Sequence, residues 1–120
     1  MKPRKIFIYQ VLPRLLGNTQ ASNIQNGTIE ENGCGKFNDI TGKFINQLKK
    51  NGYSHIWLIG VLAHASTTDY TKYGIPGEYP EIIKGNAGSP YAVRDVYDVD
   101  PDLAMNVNDR MREFEALVER

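Results

Sequence analysis

The chain has 120 residues, 41% hydrophobic and 23% charged, and its 14 Lys and Arg balance 14 Asp and Glu, so it carries no formal net charge. A mean hydropathy of -0.44, with no apolar run near the ~20 residues of a membrane helix, excludes a membrane span. The basic runs at 2–5 and Lys49-Lys50 are too short to hold nucleic acid, and one cysteine with two scattered histidines makes neither a disulfide nor a zinc site.

A chain of this length suffices for one core, and the whole of 1–120 is read as one unit. After the basic start the apolar residues are interrupted by Gln10, Pro13 and Arg14, so no signal peptide is read and a cytoplasmic location is expected. Ile6-Phe7-Ile8-Tyr9-Gln10-Val11-Leu12 is β-branched and aromatic at nearly every position, the habit of a strand in a parallel sheet covered on both faces. Residues 17–36 turn to Asn, Thr, Ser, Gln and Gly and predict a long loop; Asn26-Gly27-Thr28 within it reads as a polar turn. Asn38 or Asp39 is the expected cap of a helix whose apolar positions are Ile40, Phe44, Ile45 and Leu48, with Lys49 and Lys50 in its last turn and Gly52 beyond. The apolar run 55–62 predicts a second strand, which makes a βαβ unit with a right-handed crossover. Residues 63–90 have no period but carry Tyr70, Tyr73 and Tyr79, which predicts an ordered functional loop. Val107, Met111, Phe114, Leu117 and Val118 mark a final helix capped by Asn106 or Asn108.

The aspartates Asp95, Asp98, Asp100 and Asp102 fail as a calcium loop, because Asp100 stands where the sixth position needs Gly and Asn106 where the twelfth needs Glu. Ahead of a helix, Asp98, Asp100 and Asp102 read as turn and capping residues. His55 reads as scaffolding and Cys34 as an unactivated thiol, whereas His64, just past the second strand, is a candidate ligand contact. Seven tyrosines in a neutral chain suit carbohydrate, since each offers a flat apolar face and a hydroxyl. Tyr91, Tyr73 and His64 are the candidate substrate-binding residues; no catalytic residue, metal ligand or cofactor is assigned.

Five segments in order carry a resemblance: Ile8-Tyr9-Gln10-Val11-Leu12-Pro13-Arg14; Gly35-Lys36-Phe37-Asn38-Asp39-Ile40; Gly52-Tyr53-Ser54-His55-Ile56-Trp57-Leu58; Tyr91-Ala92-Val93-Arg94-Asp95-Val96-Tyr97-Asp98-Val99-Asp100-Pro101; and Glu113-Phe114-Glu115-Ala116-Leu117-Val118. They are similar to the start of the catalytic domain in glycoside hydrolase family 13, the α-amylase family. The resemblance implies an α/β fold, the N-terminal quarter of a (β/α)8 TIM barrel: strand 1, helix 1, strand 2 and helix 2, with long loops at the C-terminal face and strands 3–8 absent. It implies action on α-glucans such as starch and maltooligosaccharides by a retaining mechanism, with the catalytic carboxylates, and the calcium many relatives bind, held by residues outside this chain. Tyr91 matches the family tyrosine that stacks on sugar beside the cleaved bond. Gly88 stands where many relatives have an aspartate, and Gly60-Val61 replaces the usual proline after the second strand.

The expected partners are an α-glucan and either the rest of the barrel or a second copy through exposed strands, with no nucleic acid and no membrane. The chain alone is expected to be inactive. The alternative is a small stand-alone carbohydrate-binding or assembly module.

Overall fold

The structure, a computed structural model, describes residues 4–120. The basic start of the sequence falls partly at 1–3, outside the described residues.

Strand β1, Ile8–Val11, leads into a largely irregular stretch that holds one helical turn, α1, Ile29–Asn32. Thr28 caps that turn reciprocally: its hydroxyl accepts from the Glu31 amide, and the Glu31 carboxylate accepts from the Thr28 amide. Helix α2, Gly42–Lys50, starts later than the expected cap. Asn38 and Asp39 lie in a 3-10 turn, Phe37–Asp39, and the Thr41 hydroxyl accepts from the Phe44 amide at 3.2 Å. Thr41 wins because its extended backbone lets its short side chain reach that amide.

Strand β2, His55–Leu58, lies parallel to β1, with Ile8 opposite His55 and Gln10 opposite Trp57. Tyr9, Val11, Ile56 and Leu58 face the core, while Ile8, Gln10, His55 and Trp57 face outward and are exposed. Tyr9 meets Phe44 edge-on at 6.0 Å, so α2 packs on the inner face.

Here the structure overturns the barrel expectation. The apolar run 55–62 is not one strand: pairing with β1 ends at Ile59, whose amide donates to the Val11 carbonyl at 2.9 Å, and Gly60 turns the chain at φ 74. Strand β3, Leu62–His64, then pairs antiparallel with strand β4, Val93–Val99, in an irregular register. The chain is a small α/β domain with one parallel and one antiparallel pair, not a quarter of a (β/α)8 barrel. The physical reason is that apolarity alone cannot show a break inside a run, whereas a left-handed glycine sends the residues after it to a new partner. The Val61 carbonyl completes the switch by accepting from the Asp100 amide at 2.8 Å.

The connection from β3 to β4 is irregular apart from 3-10 turns at Thr71–Tyr73 and Pro80–Ile82. After β4 come two further 3-10 turns, Pro101–Leu103 and Val107–Asp109, and helix α3, Arg110–Glu119. Asn106 caps the second turn, which runs directly into α3, and the Glu113 carboxylate accepts from the Met105 and Asn106 amides at 2.8 Å. Arg110 grips Asp98 with two bonds of 2.8 Å, tying α3 to β4 and holding the Asp98 carboxyl below its ordinary range. The core gathers Val11, Phe37, Ile40, Val99, Leu103 and Leu117, with Phe37 and Leu103 fully enclosed. No helix among the described residues is long and apolar enough to cross a membrane.

Candidate functional site

Buried Pro13 delivers Arg14 just beyond β1, where its guanidinium donates to Asp102 Oδ2 and stands 3.6 Å from Asp100 Oδ2. Asp102 lies in the turn that ends β4, and its side chain is 1% exposed. Its Oδ1 accepts the Tyr70 hydroxyl at 2.5 Å, and its carbonyl accepts from Lys36 Nζ at 2.5 Å. One aspartate thus joins the segment after β1, the residue leading the 37–39 turn and the long β3–β4 connection. Burial, with the Asp102 charge beside it, pushes the Tyr70 hydroxyl well above its ordinary pKa, so it stays a donor.

Asp100 is held differently. Its Oδ1 accepts the Asp102 amide at 3.1 Å, as the cap of the turn, but Oδ2 accepts no hydrogen bond among the described residues. That oxygen faces His64 Nδ1 and the Arg14 guanidinium, each at 3.6 Å. Burial and the neighbouring Asp102 charge raise this carboxyl to about 6, against the opposing pull of His64 and Arg14. An unfolded aspartate titrates near 3.9, so between the two values the folded chain holds the extra proton. The stabilisation this gives is complete below about pH 4 and is lost as the pH rises through 6. Asp100→Asn keeps the capping oxygen and removes the charge. It should be more stable than the parent at neutral pH by on the order of 1–2 kcal/mol and lose that advantage at pH 4. Urea midpoints across that range check this; a variant less stable at neutral pH would count against it.

Arg14 and Asp102 also line a cleft of about 400 Å³, within the size range of small-ligand sites. Thr28 and Glu30 form one wall, and Thr67, Asp69 and Asn86 the other. The walls are stitched together: Asn86 Nδ2 donates to the Asn26 carbonyl at 2.5 Å, and the Thr67 amide and hydroxyl both donate to the Asn86 carbonyl at 3.0 Å. Asp69 accepts from the Thr71 hydroxyl and amide, which holds its carboxyl below the ordinary range and makes it an acceptor for hydroxyl groups. The cleft thus offers Glu30 and Asp69 as acceptors and the Arg14 guanidinium as a donor.

Of the residues singled out from sequence, Tyr91 is 79% exposed on a turn just before β4. The Tyr91 amide donates to Ser89 Oγ at 3.3 Å, and the Ala92 amide to the Ser89 carbonyl at 2.9 Å, so a fixed turn carries a free ring. Tyr73 is half-buried, its ring 6.2 Å from that of Tyr70 and 5.0 Å from the Lys72 ammonium. Tyr73 is thus brought to Tyr70, not to Tyr91. His64 lies in β3 and is 6% exposed; its Nε2 donates to the Ala87 carbonyl at 3.0 Å, fixing the segment that leads to Tyr91. Cys34 is partly buried, and burial pushes its thiol up to about 11, an inert group.

Sequence reasoning missed Arg14, Asp102 and Tyr70 as a unit. The one available signal was an arginine placed directly after a buried strand, together with aspartates flanking a proline at Asp100-Pro101-Asp102.

Fold and site together define an α/β domain with a polar cleft lined in part by Arg14 and Asp102, which with Tyr70 form a part-buried network, and an exposed tyrosine on the turn before β4. No family model, curated protein or solved structure matches the chain.

Proposed function

We propose that the chain is the N-terminal, substrate-binding portion of an α-amylase-type glycoside hydrolase acting on α-glucans, and that alone it binds these sugars without cleaving them. The observation that carries this reading is Tyr91: the residue that the ordered motifs align with a sugar-stacking tyrosine is also a ring left 79% exposed on a hydrogen-bonded turn. A ring carried on a fixed backbone turn stacks on a sugar without the cost of ordering that backbone. The cleft supports the reading in its chemistry, because carboxylates and a guanidinium together bind vicinal hydroxyls, and two unpaired acids on its wall disfavour phosphorylated ligands.

The expected absence of cleavage rests on the resemblance, which puts the catalytic carboxylates outside this chain, and the buried acids after β4 offer no substitute. A retaining glycosidase needs a nucleophile and an acid/base about 5 Å apart and open to substrate. Asp102 is committed to Arg14 and Tyr70, Asp98 to Arg110, and Asp100 is 2% exposed. In the proposed parent protein the carboxylate pair is supplied by further polypeptide.

Calorimetric titration with maltoheptaose tests this. Saturable binding is expected, and Tyr91→Ala should weaken it roughly tenfold, about 1.4 kcal/mol. Binding indifferent to that substitution, or sustained hydrolysis of maltoheptaose by the chain alone, would overturn the reading.

A further inference from the structure

Asp100 and His64 face each other in the interior without an ordinary hydrogen bond between them. Both side chains are shut away from water, and Asp100 Oδ2 is the buried side-chain oxygen that has no hydrogen-bond partner among the described residues. The His64 ring fixes one half of the geometry. Its Nε2 lies 3.0 Å from the Ala87 carbonyl, which can only accept, so Nε2 carries a hydrogen. Its Nδ1 is set against two oxygens, the Leu62 carbonyl at 3.4 Å and Asp100 Oδ2 at 3.6 Å. A neutral ring therefore turns the Nδ1 lone pair toward a charged carboxylate oxygen in a place closed to water. One hydrogen on either atom removes the conflict, and a movement of about 0.5 Å then closes the gap to a hydrogen bond.

We propose that Asp100 Oδ2 and His64 Nδ1 hold one hydrogen in common, and that its loss at rising pH loosens the 87–92 turn that carries Tyr91. The surrounding charges are otherwise committed. Arg14 stands 3.6 Å from Asp100 Oδ2 but is bonded to Asp102, and the Tyr70 hydroxyl and Lys36 Nζ are both directed to Asp102 as well. Burial keeps the Cys34 thiol, close to Arg14, protonated. On the other side, Glu78 and Arg94 line a small crevice with His64 and pair with each other at 3.3 Å. With the shared proton Asp100 and His64 are together neutral, and without it they carry a buried negative charge. Burial and the Asp102 charge raise the Asp100 carboxyl to about 6, so the proton is held below that pH and lost above it.

The ring is also the mount of the turn. Its Nε2 holds the Ala87 carbonyl, and Gly88 packs so closely that an added Cβ would lie 3.2 Å from the ring and 1.7 Å from the Ala65 carbonyl oxygen. Ser89 then accepts the Tyr91 amide at its hydroxyl and the Ala92 amide at its carbonyl, while the Ala92 carbonyl accepts the Ala65 amide. Backbone packed this tightly cannot absorb a movement of the ring, so repulsion between Nδ1 and Oδ2 passes into the turn. The inference concerns the turn itself and does not rest on the glucan reading.

Nuclear magnetic resonance of the full chain between about pH 5 and pH 8 tests both halves. The His64 Nδ1 and Asp100 carboxyl resonances should change together over one pH interval, while Nε2 keeps its hydrogen throughout. Protection of the Ala92 amide against hydrogen exchange, corrected for the intrinsic rise with pH, should fall about fivefold over the same interval. In Asp100→Asn, which keeps the capping oxygen and removes the charge, that fall should vanish. His64→Gln is the second variant: its amide can still donate to the Ala87 carbonyl and does not titrate, so protection should again be independent of pH. Resonances that change over separate intervals, or an Nε2 without hydrogen, would overturn the inference. So would protection that stays level in the parent or falls equally in both variants.

Discussion

Arg14→Ala should lower the stability of the chain by about 3–5 kcal/mol, the range for removing one partner of a buried ion pair. The expectation rests on what remains behind. Without the guanidinium, Asp102 at 1% exposure and Asp100 at 2% face each other with no permanent cation between them, and the Asp100 oxygen that already accepts no hydrogen bond loses its nearest positive charge. The loss should therefore be larger at neutral pH than at pH 4, where protonation relieves Asp100. Arg14→Lys should recover only part of it, since a single ammonium cannot bond Asp102 and also approach Asp100 as a planar guanidinium does. Adding Asp102→Asn to Arg14→Ala should restore stability relative to Arg14→Ala alone, because the second change removes the stranded charge. Urea denaturation followed by circular dichroism measures all four chains. A loss below about 1 kcal/mol for Arg14→Ala would show that water reaches these carboxylates and that the network is not closed.

The same network shows where sequence reading succeeds and where it stops. Local signals were legible: α2 lies where Phe44, Ile45 and Leu48 recur, and β1 and β2 lie within the two apolar runs joined by that helix. The helix cap was misplaced by two or three residues because Asn38, Asp39 and Thr41 all have capping chemistry, and only the backbone conformation at Thr41 decides among them. The β3–β4 pair was not legible. Leu62–His64 is too short to show a period, and its partner lies beyond a connection of irregular chain. Of the aspartates that sequence assigned to turns and caps, Asp100 caps its turn by accepting from the Asp102 amide, whereas Asp98 is paired with Arg110 and Asp102 with Arg14. What no spacing rule could show is that the carboxylates of Asp100 and Asp102 would be taken out of water and matched by Arg14, far away in sequence. Likewise the exposure of Tyr91 and the burial of His64 are set by how the β3–β4 connection is pinned, which is a tertiary property.

Gly88→Ala is expected to destabilise the chain by about 2–5 kcal/mol, and Gly88→Asp by at least as much. Gly88 sits at φ 74, where a side chain adds roughly 1–2 kcal/mol of strain. A Cβ there would also come 1.7 Å from the Ala65 carbonyl oxygen and 3.2 Å from the His64 ring. The obstacle at 1.7 Å is backbone in the segment where the Ala65 amide donates to the Ala92 carbonyl, so relief requires moving the strand end itself. Gly85→Ala separates the two contributions: at φ 61 with nothing within 4 Å of the added carbon, it should show the conformational part alone, about 1 kcal/mol. The difference between the two alanine variants is then the steric part. It should be accompanied by weaker maltoheptaose binding only at Gly88, because displacement of Ala65 and His64 shifts the Ala87–Ser89 backbone that positions Tyr91. Equal melting shifts for the two variants would show that the segment yields freely and that Tyr91 is not rigidly mounted. A stable Gly88→Asp chain would remove the reason for the glycine where the resembling family carries a carboxylate. On the geometry of this turn that carboxylate has no room, so under the proposed reading the contact made at this turn falls to the Tyr91 ring.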